Sequence, residues 1–372
     1  MDHFEFFRRI SDNPRGYAVD WKQKSGAKVV GHFCSYTPQE LLVAAGALPY
    51  RILGSGADIV HADGYLQSYC CSLVRGGLED ALAGRLAFLE GAVFPHTCDS
   101  IQRLSDIWRM NAGFDFHADI IMPVKLDTAS AAEYMTAVLA RFKADVEKGL
   151  GVTISDTMLH EAIHICNRVR HSLEQLYALR RQNPQAICGS DLHAVFKAAL
   201  VMDRRELADA LEALVTVLKT VPANEKPVGK RLVLSGGLCS MPDIYQVVEA
   251  SGGHVVWDDF CTGARYFEGM VDTSGDPLQA LAQRYLQRVV CPAKHAGIYA
   301  RGQYLLDKVK ESHADGVIFL YLKFCDPHGF DYPYMKAMLD DCAIPSLMFE
   351  VEDQLSAEGQ LRTRCEAFLE ML

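Results

Sequence analysis

The chain has 372 residues, long enough for two domains, and its 49% hydrophobic and 23% charged content is that of a folded protein rather than a disordered or fibrous one. Lys and Arg number 37 against 47 Asp and Glu, a net charge of −10 without a concentrated basic face, which argues against nucleic acid as a partner. The short basic runs Arg168 to His171 and Lys226 to Arg231 read as solvated surface.

No uncharged run exceeds eleven residues, so no segment is expected to cross a membrane. The start, MDHFEFFRRISDNP, carries acids where a secretory signal has an apolar core, and the expected location is the cytoplasm. There, the chain's 12 cysteines are expected to stay reduced.

The first 26 residues read as a polar helical arm. From Ala27 short apolar runs alternate with amphipathic stretches, the pattern of a parallel sheet wound with helices. AKVVGHF is a strand, PQELLVAAGA a helix opened by Pro38, and LPYRIL a second strand. A third strand ends near Pro95, SIQRLSDIWRM is a helix, and a fourth strand is predicted from Ala118. Ala131 to about Asn224 is almost wholly helical, and PANEKPVGKR reads as a linker. The alternation then restarts: RLVLSGG, HVVWDD, DGVIFLYL and IPSLMFEVE are strands, with helices at MPDIYQVVEASGG and DYPYMKAMLDDCA. The expected fold is α/β, two Rossmann-like parallel-sheet domains (1–155 and 225–372) joined by a helical connector (156–224). The second half repeats the architecture of the first, although no residue-by-residue repeat is visible.

Four cysteines fall just past a predicted strand and just before a predicted helix: Cys34, Cys98, Cys239 and Cys325. Open parallel sheets bind ligands beyond the carboxyl ends of their strands, and helix N-termini there favour thiolate over thiol. Thiolates gathered from separate strand ends suit an iron–sulfur cluster, whereas structural zinc usually takes close CxxC pairs, which are absent here. Cys166, Cys188, Cys291, Cys342 and Cys365 read as packing residues, and the pair Cys70–Cys71 lies before a helix that could reach the same crevice.

The phrases CSYTPQELLVAAGALPYRI, FLEGAVFPHTCDSIQRLSDIW, WDDFCTGARYF, GVIFLYLKFCDPHGFDYP and EGQLRTRCEAFLEML together resemble the iron–sulfur subunits of the 2-hydroxyacyl-CoA dehydratase and benzoyl-CoA reductase family, across nearly the whole chain. The resemblance implies a four-iron four-sulfur (4Fe-4S) cluster held by the cysteines of CSYTP, HTCD and KFCDP, which are Cys34, Cys98 and Cys325. It further implies a paralogous iron–sulfur subunit as partner, a separate ATPase that delivers electrons, and an acyl-CoA or aromatic acyl-CoA substrate reduced by single electrons. The chain has no P-loop of its own: Asn224 stands where GxxxxGK needs its first glycine. Phrase similarity favours the aromatic reductases over the dehydratases. A relay subunit without catalysis, or a larger double-cubane cluster that adds Cys71 and Cys239, are the alternatives.

His160-Glu161-Ala162-Ile163-His164 matches the HExxH zinc signature, but Asn167 and Arg170 stand where the extended motif has Gly and His, and a helix-surface role is expected. Asp99 and Ser35 are expected to cap helices, and His32, His96 and His328 are candidate proton donors beside the cysteines. Asp258, Asp259 and Arg265 face either bound CoA, a partner subunit or solvent.

Overall fold

The predicted strands form two separate four-stranded sheets in a computed structural model that describes residues 2–222, 229–238, 243–288, 291–352 and 358–372. The first sheet contains β1 (Val29–His32), β2 (Leu48–Arg51), β3 (Gly91–Pro95) and β4 (Phe116–Ile120), and the second β5 (Lys230–Gly236), β6 (Gly253–Asp259), β7 (Gly316–Leu322) and β8 (Ser346–Val351). Every pairing is parallel, and the orders are β2-β1-β3-β4 and β6-β5-β7-β8. The two halves therefore share one topology. β4 begins two residues before the predicted Ala118 and ends at Ile120, because Phe116 pairs with Gly91 at the start of β3.

The inner strands are apolar on both faces, as helices on either side require: all residues of β1, β3 and β7 are buried. Close packing asks for glycine at two points. A Cβ on Gly91 would stand 1.9 Å from the Phe116 carbonyl oxygen, and one on Gly236 2.0 Å from that of Leu320.

The N-terminal arm is two helices, Glu5–Asp12 and Pro14–Ser25. The second opens with Pro14 and an Asn13 cap on the Gly16 amide, and closes on left-handed Gly26. The helical middle comprises Ala129–Leu150, Asp156–Gln182, Gly189–Ala199 and Arg204–Leu218. One apolar core runs through both halves, joining Phe33 and Phe94 of the first to Val233 and Phe319 of the second by way of Leu176 and Phe196. The halves also meet where Lys125 bridges His295. Among the described residues no helix is long and apolar enough to cross a membrane.

Candidate functional site

In each sheet the chain winds one way from its first strand and then returns to the other side, so the strand order reverses between β1 and β3 and between β5 and β7. Such switch points open crevices at the carboxyl ends of the strands. Cys34 follows β1, Cys98 follows β3 and Cys325 follows β7, at the two switch points. Cys239 follows β5 but lies outside the described residues.

Besides Cys188, which caps Gly189–Ala199, three cysteines among the described residues are helix N-caps: Cys71 of Ser72–Leu82, Cys98 of Asp99–Asn111 and Cys325 of Asp326–Asp341. All three line one cavity of about 380 Å3, together with Asp99, Asp326, Lys294 and an apolar wall that includes Ile298, Phe324, Phe330 and Tyr334. Cys325 is presented by a strained elbow, since Phe324 takes a left-handed φ of 64° that a bulky side chain adopts at a cost. Its Sγ lies 3.1 Å from His328 Nδ1. Under Cys98, Phe33, Phe94 and Trp108 pack ring on ring with centroids 5.0 to 5.5 Å apart, fixing the floor on which its helix rests.

Cys34 is not on the wall of that cavity. Its loop is held from the second half of the chain: Arg288 donates to the Ser35 carbonyl at 2.7 Å and to Ser35 Oγ at 3.1 Å, and the Tyr285 hydroxyl donates to the Thr37 carbonyl at 2.9 Å. Ser35 is thus engaged by Arg288 and caps no helix, the next helix having Pro38 at its N-cap. Through-space electrostatics nevertheless link Cys34 with Cys98, Cys71 with both Cys98 and Cys325, Cys261 with Cys34 and Cys291, and Cys291 with Cys325.

Two members of this group escape the sequence reading. Cys291 packs against an apolar cluster, as expected, but it also lies in electrostatic reach of Cys261 and Cys325, and it carries the signal of proline directly after cysteine, Cys291-Pro292. Cys261 stands just past β6 and so obeys the strand-end rule that singles out the others. Its Sγ donates to the Gly237 carbonyl at 3.1 Å, and Arg51 Nη2 reaches it at 4.0 Å. All eleven cysteines among the described residues are free thiols.

Burial, not the helix termini, governs these thiols. It pushes Cys98 up to about 12, overcoming the amides of Ile101 and Ser100 that favour the thiolate, and burial likewise raises Cys261 and Cys325. Cys98, Cys261 and Cys325 are therefore neutral thiols until a cation draws their protons off. Around them stand buried cations: Arg51, Arg288 and Lys294 are 2%, 4% and 5% exposed. Among the described residues none has a carboxylate partner, and Arg288 and Lys294 rest on carbonyls. That surplus positive charge suits a site built to receive anionic sulfur.

No three His, Cys, Asp or Glu side chains among the described residues converge as donors to one metal ion. A cubane makes a different demand, since its thiolates attach to separate iron corners and must ring a void. Cys71, Cys98 and Cys325 ring such a void, with Cys34 electrostatically linked to Cys98.

The remaining candidates resolve into structure. Asp258 and Asp259 are 0% and 1% exposed and do not face solvent. Asp258 accepts from the hydroxyls of Tyr177 and Tyr245, and Asp259 pairs with Arg265 and Arg301. His32 and His328 are buried, and burial, reinforced by nearby arginines, holds both well below the ordinary histidine range, so they are neutral. His96 contacts Asp119 at 2.8 Å. Glu161 of the HExxH segment is an exposed side chain tied to Arg205 at 2.5 Å.

The sequence profile of the family described as 2-hydroxyglutaryl-CoA dehydratase, D-component, matches residues 34–372. The chain is 29% identical over 370 residues to the (R)-phenyllactyl-CoA dehydratase beta subunit of Clostridium sporogenes, covering 99% of this chain and 98% of that one. It is 28% identical over 362 residues to a benzoyl-CoA reductase subunit of Thauera aromatica, covering 95% and 94%. With the (R)-2-hydroxyglutaryl-CoA dehydratase beta subunit of Acidaminococcus fermentans it shares 29% over 377 residues, covering 99% and 98%.

Proposed function

The chain belongs to the 2-hydroxyglutaryl-CoA dehydratase D-component family, and we propose that it is the iron–sulfur subunit of an enzyme driving low-potential electrons into a CoA thioester. In this reading Cys34, Cys98 and Cys325 hold one 4Fe-4S cluster, which supplies one-electron redox chemistry when bound. The observation that carries it is that Cys98 and Cys325, strand-end cysteines of the two different sheets, cap helices that open on one cavity, with Cys34 in electrostatic reach of Cys98 though off the cavity wall. The chain's own residues bury the sulfurs away from water, and Arg51, Arg288 and Lys294 offset the negative charge that ionised sulfur brings. A paralogous subunit and a separate ATPase complete the enzyme.

The proposed substrate is an aromatic acyl-CoA of the benzoyl type, reduced in the ring by one-electron steps. Phe324, Phe330 and Tyr334 on the cavity wall support it by offering ring faces to a flat acyl group. A 2-hydroxyacyl-CoA dehydratase, in which the electron is recovered after water leaves, is the second reading, supported by the names of two of the relatives above. Cys71 on the wall supports a larger, double-cubane cluster as a variant of either, and a subunit that only relays electrons shares the same cysteines.

The test is iron and acid-labile sulfide on anaerobically purified protein. About four of each per chain, lost in Cys34→Ala, Cys98→Ala and Cys325→Ala, supports the single cubane. About eight, falling also in Cys71→Ala, selects the larger cluster. Folded protein that never met air and holds no iron overturns the reading. With a partner subunit and reductant supplied, a ring-reduced or a dehydrated product separates the two reactions.

A further inference from the structure

A second cavity, of about 360 Å3, opens at the carboxyl end of the edge strand β2 and shares no lining residue with the cysteine cavity. Tyr50 and Phe88 line it with rings 5.1 Å apart, edge to face, and the half-buried Phe88 ring offers an aromatic contact. Beyond β2 the chain turns through Gly54-Ser55-Gly56, with both glycines left-handed at φ 81° and 67°. The amides of Gly54, Ser55 and Gly56 have no hydrogen-bond partner among the described residues. Successive free amides in a glycine turn make an anion-binding concavity.

Cations complete it. Arg15 from the N-terminal arm and Lys197 from the helix Gly189–Ala199 line the cavity, and neither has an ion-pair partner among the described residues. Two acids also line the cavity, Asp12 and Asp80, against the four cations Arg15, Arg51, Arg85 and Lys197, and Asp80 is already held by Arg85 and Ser55, each at 2.5 Å. An aromatic contact, free amides and two uncommitted cations are what a planar base carrying phosphate requires.

We infer that this cavity binds an adenosine phosphate, its base against Tyr50 and Phe88 and its phosphates on the Gly54–Gly56 amides, Arg15 and Lys197. That chemistry is shared by free ADP or ATP and by the 3′-phospho-ADP end of a CoA thioester. A small cavity of about 40 Å3 shares Gly56 with this site and Phe324 with the cysteine cavity, so the two sites lie on neighbouring parts of the surface, and CoA is the favoured occupant. The CoA assignment rests on the function proposed above; the nucleotide site does not.

Isothermal titration calorimetry on the full chain, handled anaerobically, tests it with desulfo-CoA, 3′-phospho-ADP, ADP and adenosine as probes. The phosphorylated probes bind, and adenosine binds more weakly than any of them. Arg15→Ala and Lys197→Ala each lower the affinity for phosphorylated probes by about tenfold with unchanged circular dichroism. Desulfo-CoA tighter than ADP assigns the site to CoA, and ADP at least as tight assigns it to the free nucleotide. The same titration on Cys325→Ala keeps its affinity, so failure of the cluster reading leaves this one standing. Folded wild-type protein that binds no probe at millimolar concentration, or binding untouched in both cation variants, overturns the inference.

Discussion

The guanidinium of Arg288 holds the carbonyl of Ser35 at 2.7 Å across 253 residues of sequence, so the loop that presents Cys34 is shaped by the other half of the chain. Arg288 also lies over the Tyr36 ring, its carbon 4.7 Å from the centroid, which pins the residue on the far side of Ser35. Replacing Arg288 with Met leaves the buried Ser35 carbonyl and hydroxyl without that donor, at about 1–3 kcal/mol. The expected outcome is a lower urea midpoint and less iron per folded chain, checked by chemical denaturation and metal analysis together. Lys at 288 restores charge but not the paired donation, and recovers only part of either.

Gly236→Ala is expected to cost about 3 kcal/mol, at the upper end of overpacking penalties. The reason is backbone, not side chain: the added Cβ would stand 2.0 Å from the Leu320 carbonyl oxygen, between β5 and β7 at the second switch point. Thermal denaturation reads the loss.

Glu79 gives a prediction with a pH sign. Burial opposes its ionisation, yet the amides of Ala62, His61 and Val60, at 2.9, 2.6 and 3.0 Å, hold its carboxyl below the ordinary range. A depressed folded value means that the stabilisation is present above the unfolded carboxylate value, about pH 4, and is lost as pH falls through the folded one. Glu79→Gln therefore lowers the denaturation midpoint at pH 7, by about 1–3 kcal/mol, and the gap to wild type closes under acid. Equal gaps at pH 7 and at pH 2 would falsify the assignment.

His160→Ala and His164→Ala are expected to leave metal content unchanged and stability within about 0.5 kcal/mol of wild type. Glu161 is engaged by Arg205 on the helix surface rather than aimed at a metal. Zinc bound to the wild type and absent from either variant contradicts this.

Much of the fold is legible in the sequence because the signals are local. A run such as GVIFLYL has no polar face, so it can only be an inner strand, and Cys325 placed after it reads directly as a strand-end residue. What is not legible depends on distant contacts. Cys34 comes within electrostatic reach of Cys261 only because the halves close on one another, and nothing in the residues near either position reports that closure. The aromatic floor under Cys98 brings Phe33 to Trp108, and the buried pairing of Asp259 with Arg265 and Arg301 makes core of what reads as a charged turn. The protonation of the cysteines escapes the sequence for the same reason: position in the chain reveals a helix N-terminus, but the depth of burial that outweighs it belongs to the folded whole.

The sharing of one site between two like-ordered sheets also sets a timetable for the ribosome. Cys34, Cys71 and Cys98 leave the tunnel early, whereas Tyr285, Arg288 and Cys325 come late, and 227 residues separate Cys98 from Cys325. At about 5–20 residues per second that interval is roughly 11–45 s, during which the early thiols have neither their clamps nor their opposite wall. The nascent chain is thus at its most vulnerable to oxygen and to stray metal before it is finished, and oxidative damage in the cell should fall first on the cysteines made first.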